Sequence, residues 1–185
     1  MDKAALRSTL RARRRAFVAD AGPERLAKMH GALLLRLVPH LMGTRVLSAY
    51  LATPGEIDPL GILLHAHGMG IRTALPRVVA RDRPMTFHYW LPGDELVSGP
   101  FGLIQPREDS DACVPDLILA PLLGFDRALG RIGQGGGFYD RAFAANPAAR
   151  RIGLAWSVQE VGSLTLEPWD VPLHGIATER EWIDR

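Results

Sequence analysis

The chain has little with which to brace itself covalently or to span a membrane. Cys113 stands alone, so no internal disulfide and no multi-cysteine metal site can form, and this usage fits a reducing compartment. Nowhere do about 18 apolar residues follow one another, the length a spanning helix requires. The amino-terminal stretch is charged from Asp2 onward and lacks the apolar core of a signal peptide. A cytoplasmic location is expected. Lysine is scarce as well, with Lys3 and Lys28 the only ones, and arginine supplies the other positive charges. The formal net charge is only +2, which argues against a protein that coats nucleic acid. It leaves room for local arginine clusters facing small anions.

What is present reads as one soluble domain. The 185 residues suit a single core, and 47% apolar with 23% charged residues is ordinary for a globular protein. Residues 2–19 carry Leu6, Leu10 and Phe17 at helical spacing. Gly22-Pro23 breaks that pattern and starts a second helix running to about Leu37. A short apolar run over 45–51 predicts a strand, Thr53-Pro54-Gly55 a turn, and 57–67 a third helix. Strands are expected at 72–78, interrupted or ended at Pro76, and at 85–91, where Phe87, Tyr89 and Leu91 alternate with Thr86, His88 and Trp90. Residues 92–115, rich in Gly, Pro and Asp, look like a long surface excursion. The run 116–122 is apolar on both faces, as a central strand of a covered parallel sheet should be. A helix over 139–145, a strand over 151–156 and a last strand near Ile176 complete the pattern. Strands alternating with helices give an α/β fold, a mostly parallel sheet with helices on both faces in a Rossmann-like three-layer arrangement.

The informative stretch is Gly130-Arg131-Ile132-Gly133-Gln134-Gly135-Gly136-Gly137-Phe138-Tyr139-Asp140. Glycine costs backbone entropy on folding, so a cluster marks positive φ angles or close approach of a ligand to the main chain. Consecutive N–H groups ahead of a helix can cradle phosphate oxygens; Arg131 can add a bidentate contact, and Asp140 offers an oxygen to magnesium. The segment is neither a Walker loop, having no lysine at Gly136, nor a dinucleotide fingerprint. On pattern alone a phosphate cradle and an unliganded flexible loop both fit.

Other residues are less telling singly. Lys3 and Arg7 share one helix face, where they could grip phosphates or simply face solvent, and Arg11, Arg13, Arg14 and Arg15 extend that charge. Glu56 follows the first strand, where α/β sheets place ligand-binding groups. His65 and His67 are two apart and point to different sides of a helix, so they form no zinc site. Trp90, Trp156 and Trp169 suit the core, or could stack on a flat heterocycle.

Taken in order, several pieces resemble the 5-formyltetrahydrofolate cyclo-ligase family, also called 5,10-methenyltetrahydrofolate synthetases. They are Lys3 and Arg7, Tyr50-Leu51 with Glu56-Ile57, Leu75-Pro76-Arg77, and residues 121–126. The glycine segment 131–141, Gly153-Leu154-Ala155-Trp156, residues 169–173 and Thr178-Glu179 complete the set. The resemblance implies a single α/β domain that converts 5-formyltetrahydrofolate and ATP into 5,10-methenyltetrahydrofolate, ADP and phosphate, with Mg2+. By position, Lys3 and Arg7 would hold ATP phosphates, and Arg131, Ile132, Gly133, Gln134, Gly135, Gly136, Gly137, Phe138 and Tyr139 would wrap the nucleotide. Gln134 to Phe138 would also border the folate, with Leu51, Glu56 and Trp90 on its far side. Arg131, Gln134 and Tyr139 would take part in catalysis, and Asp140 would bind the metal. Some relatives carry a lysine where this chain has Gly136, and a second acidic metal ligand in some falls near His174 here, with Asp170 as a nearby substitute. Expected partners are the reduced folate and ATP, with no nucleic acid and no membrane, acting on a monomer.

Overall fold

In the computed structural model, which describes residues 2–185, the Asp2 carboxylate accepts the Ala4 N–H at 2.9 Å and caps the first helix. That helix, α1 (Lys3–Leu37), kinks at Gly22, where φ is 66° and ψ is 166°. Glycine takes this conformation without the steric cost of a Cβ, and Pro23 then sits in the first turn of the second segment. The expected break is therefore a bend between two helical halves. The first half buries Leu10 and Arg14, and the second buries Met29, Leu33 and Leu37.

The elements that follow are β1 (Val46–Ser48), α2 (Leu60–Gly68), β2 (Arg72–Arg77), β3 (Thr86–Tyr89), β4 (Leu96–Ser98), β5 (Ile104–Pro106) and β6 (Ala112–Cys113). Next come β7 (Leu117–Pro121), β8 (Gly124–Phe125), β9 (Arg131–Ile132), α3 (Phe138–Ala145), β10 (Arg150–Leu154), β11 (Gly175–Ala177) and β12 (Trp182–Ile183). One eight-stranded sheet runs in the order β12-β11-β10-β7-β1-β2-β3-β6. The strands from β11 to β2 are parallel, while β12, β3 and β6 add antiparallel edges.

Period-two alternation sends the side chains of β7 to opposite faces. Leu117 and Leu119 join a core with Leu33, Leu37 and Leu63 from α1 and α2; Ile118 and Ala120 join another with Ala142 and Phe143 from α3. All four strand residues are fully buried, so helices cover both sides and β7 is the central strand anticipated. Among the described residues no helix is long and apolar enough to cross a membrane.

Three expectations need correction. Pro76 does not end β2. Pairing with β1 stops at Ala74, so the missing N–H of Pro76 breaks no bond on that side. The alternation expected in β3 fails at its centre: Phe87 and His88 are both buried. His88 is satisfied there by the Ser110 carbonyl at 2.7 Å and the Thr86 hydroxyl at 3.0 Å. The segment 92–115 is no mere excursion, for β4 and β5 form a hairpin and β6 extends the main sheet. Buried Gln105 anchors that hairpin by accepting the Val78 N–H at 2.9 Å.

Candidate active site

From β1 the chain builds outward to β2 on one side, then returns through β7 to build β10 on the other. The reversal opens a crevice beyond the carboxyl ends of β1 and β7, the place where open α/β sheets bind ligands. A cleft of about 800 Å³ lies there, lined by residues that follow β1 (Tyr50 to Glu56), β2 and β7 (Pro121, Leu122). Lys3, Arg7, Leu51, Glu56 and every residue from Arg131 to Asp140 border it.

Arginines hold the glycine segment by its carbonyls. Arg7 Nε donates to Gly133 O at 3.0 Å, Arg141 Nη2 donates to Gly136 O at 2.8 Å, and Arg11 Nε reaches the Gln134 side chain at 2.9 Å. Among the described residues none of the backbone N–H groups from Gly133 to Gly137 donates to another protein group. Gly135 at φ 101° and Gly137 at φ 64° give the segment a curvature that residues with a Cβ resist. The result is a run of unpaired donors at the start of α3, with the cations turned to its carbonyl side. Such a cradle attracts anions.

At the cleft floor Arg131 Nη2 lies 2.6 Å from Asp140 Oδ1, with side chains 5% and 19% exposed. Arg131 Nε is buried without a partner among the described residues, so the guanidinium has hydrogen-bonding capacity to spare. Burial, and then the charge of Glu56, push the Tyr139 phenol well above its ordinary pKa, leaving a proton donor across the neutral range. The same two causes raise Tyr50, whose hydroxyl donates to Ile57 O at 2.8 Å.

Glu56 borders the same cleft as the glycine segment. Its Oε2 accepts the Thr53 N–H at 3.0 Å and its Oε1 lies 3.3 Å from Arg14 Nη1. Lys3 borders the cleft mouth with its ammonium 3.2 Å from Glu167 and 3.5 Å from Asp170.

Two residues named from sequence lie elsewhere. Trp90 is buried in the α1–α2 core, its indole N–H directed at Asp94 O at 3.4 Å, and does not border the cleft. His174 accepts the Arg151 N–H at 3.0 Å outside the cleft; burial, then Arg151, lower its pKa. Asp170 does border the cleft, and the neighbouring Val171 N–H points to Asp140 at 3.5 Å.

The sequence reading missed Phe101 entirely. It stands half exposed at the cleft, 5.9 Å from the Phe138 ring, with the Arg81 guanidinium 4.8 Å above it. Phe101 has φ 62°, a left-handed conformation uncommon for a bulky residue, and no local pattern announces it. Exposed Trp169 borders the same cleft.

The model of the 5-formyltetrahydrofolate cyclo-ligase family matches residues 1–179. The chain belongs to that family. A cyclo-ligase of this name from Haemophilus influenzae is 31% identical over 141 residues, covering 70% of this chain and 73% of its own. The Escherichia coli K12 cyclo-ligase is 29% identical over 178 residues, covering 91% and 96%. The fold agrees with the solution structure of Aquifex aeolicus 5,10-methenyltetrahydrofolate synthetase at a TM-score of 0.82, over 100% of this chain and 93% of that one, with 23% identity. The Mycoplasma pneumoniae synthetase gives 0.73, covering 96% and 98%, again at 23% identity. For a member of the cyclo-ligase family, the glycine segment 131–140 is thus the main-chain wall of a deep cleft.

Proposed function

We propose that this chain catalyses the ATP-dependent cyclisation of 5-formyltetrahydrofolate to 5,10-methenyltetrahydrofolate, releasing ADP and phosphate. The observation that carries the reading is the set of unpaired amides from Gly133 to Gly137, in a cleft that Glu56 also borders.

The chemistry asks for little more. A formamide oxygen leaves poorly, so it is first phosphorylated. The formyl oxygen on N5 attacks the γ-phosphorus, the bond from that phosphorus to the bridging oxygen breaks, and ADP departs. N10 then attacks the formyl carbon and loses its proton. The carbon–oxygen bond breaks with its electron pair leaving on phosphate, which completes the methenyl bridge. Phosphoryl transfer of this kind depends on positioning and charge neutralisation rather than on a protein nucleophile.

Each residue has a part in this scheme. The amides of 133–137, with Lys3 and Arg7, hold the nucleotide phosphates. Arg131 takes up negative charge as it develops on the transferring group. Gln134 and the protonated Tyr139 donate to the phosphoryl or formyl oxygens. Leu51 and Glu56 receive the pterin, the carboxylate accepting its N–H edge. Phe101 and Phe138 give the folate's aromatic portion an apolar wall.

Magnesium fits the donor set. Among the described residues no three acidic, histidine or cysteine side chains gather into an ion cage. Mg2+ needs none, because it commonly takes one or two carboxylates together with waters and substrate phosphates. Asp140 borders the cleft beside the amide run and would hold it, with Asp170 the nearest acidic companion. Bound there, the ion would neutralise phosphate charge.

A nucleic-acid-binding reading of the arginine-rich α1 finds less support, since Arg7, Arg11, Arg13 and Arg14 are all engaged with other parts of the fold. The deciding experiment mixes the protein with 5-formyltetrahydrofolate and Mg-ATP and follows methenyl absorbance in the near ultraviolet. Turnover that requires both ATP and magnesium is expected. A flat trace from folded protein overturns the proposal.

A further inference from the structure

Of the arginines Arg11, Arg13, Arg14 and Arg15, only Arg14 is buried. Its guanidinium pairs with Glu56, the two side chains being 5% and 8% exposed. Arg14 Nε is buried with no acceptor among the described residues. As a stabilising device this is a poor arrangement. Desolvating two charges offsets most of their attraction, and a donor left unpaired adds to the cost. A pair of this kind is better explained by what it does for Glu56.

The turn that carries Glu56 is held from two directions. Arg14 grips the carboxylate from α1, and Trp156 Nε1 donates to Gly55 O at 3.1 Å. Gly55 has φ 86°, and a Cβ there would lie 3.7 Å from Arg14 Nε, so the guanidinium fits closely under the turn. We infer that Arg14 is a positioning residue: it holds the Glu56 carboxylate aimed into the cleft, and thereby sets affinity for the pterin without touching it. This rests on the proposed role of Glu56 in folate binding.

The phenols of Tyr50 and Tyr139 feel the charge of Glu56, and the cleft that it borders also holds Lys3, Arg7 and Arg131, each held by its own partners. Without the guanidinium the buried carboxylate loses the cationic partner that fixes its direction.

The test compares wild type with Arg14→Met and Arg14→Lys by steady-state kinetics, varying folate and ATP in turn. Arg14→Met is expected to raise the folate KM on the order of tenfold near neutral pH. ATP KM should stay within about twofold. Arg14→Lys, which restores the charge without the fork, should recover most of the affinity. A purely structural role would lower thermal stability and degrade both substrates' KM values together, with no rescue by lysine. Folded Arg14→Met with wild-type folate KM overturns the inference and leaves the proposed function intact. Should Arg14→Met not fold, Arg14→Gln decides: a raised folate KM with an unchanged ATP KM supports the positioning role, and a wild-type folate KM overturns it. Absence of turnover in wild type sinks both claims at once.

Discussion

The guanidinium of Arg131 and the carboxylate of Asp140 meet at 2.6 Å, joining the start of the glycine segment to the helix behind it. Both ends of the proposed phosphate cradle are thereby tied to one ion pair, and the acid assigned to magnesium is also the counter-ion of a buried arginine. Asp140→Ala should therefore do two kinds of damage. Turnover should fall by roughly 10²-fold or more as the charge-neutralising site is lost. The stranded Arg131 should cost about 3 kcal/mol of stability, a drop in Tm of roughly 6–12 °C for a chain of this size. Calorimetry and a magnesium titration of activity check each part; wild-type turnover would move the metal elsewhere.

Gly135→Ala separates nucleotide from folate. At φ 101° an added Cβ strains the backbone and would lie 3.4 Å from the Arg7 guanidinium carbon. A stability loss of about 1–2 kcal/mol is expected. The KM for ATP should rise on the order of tenfold, and the folate KM, whose site the same residue also borders, should rise less. Equal effects on both substrates would contradict the division of the cleft.

Phe101 offers a contest between backbone and side chain. Because its φ is 62°, Phe101→Gly should be more stable than Phe101→Ala by about 1 kcal/mol. Both variants should weaken folate binding alike, for each removes the ring. Denaturant melts of the pair, with folate KM alongside, check the ordering. An alanine variant at least as stable as the glycine variant would contradict it.

Asp116 links pH to the sheet. Burial pushes its carboxyl up, but the N–H groups of Arg45 and Val46 and the Arg45 guanidinium outweigh this and hold it below the ordinary carboxylate range. A lowered native pKa means the unfolded chain binds the proton more tightly. The stabilisation is therefore complete above the unfolded carboxyl pKa and is lost as pH falls through the native one. Asp116→Asn should cost about 1–2 kcal/mol at neutral pH and show a shallower fall in Tm on acidification than wild type. Parallel acid profiles would refute the link.

Much of the fold could be read from periodicity because the central strand declares itself. Leu117 to Ala120 is apolar at every position, a pattern that only burial on both faces explains. Main-chain chemistry was equally open to reading, since glycines at 133, 135, 136 and 137 have few other uses in a strand–loop–helix context. What stayed hidden depends on tertiary placement. Trp90 and Phe101 are both aromatic residues of the β2–β7 region. Only the hairpin anchored by Gln105 brings Phe101 to the cleft, while Trp90 turns into the core. Arg14 looked like one more solvated charge in a basic run, because nothing local reveals that Glu56 lies beneath it.

The sheet's strand order also governs how the polypeptide assembles as it is made. Val46 and Asp116, whose groups bond across the junction of β1 and β7, are 70 positions apart in the chain. β1 can pair with β2 early, but its other edge must wait while the intervening residues are synthesised, some 4–14 s at roughly 5–20 residues per second. Through that interval the edge of Val46–Ser48 that β7 covers in the finished sheet has no partner strand, a condition that favours misassociation. Slower translation before residue 117 should prolong that exposure, and faster translation should shorten it.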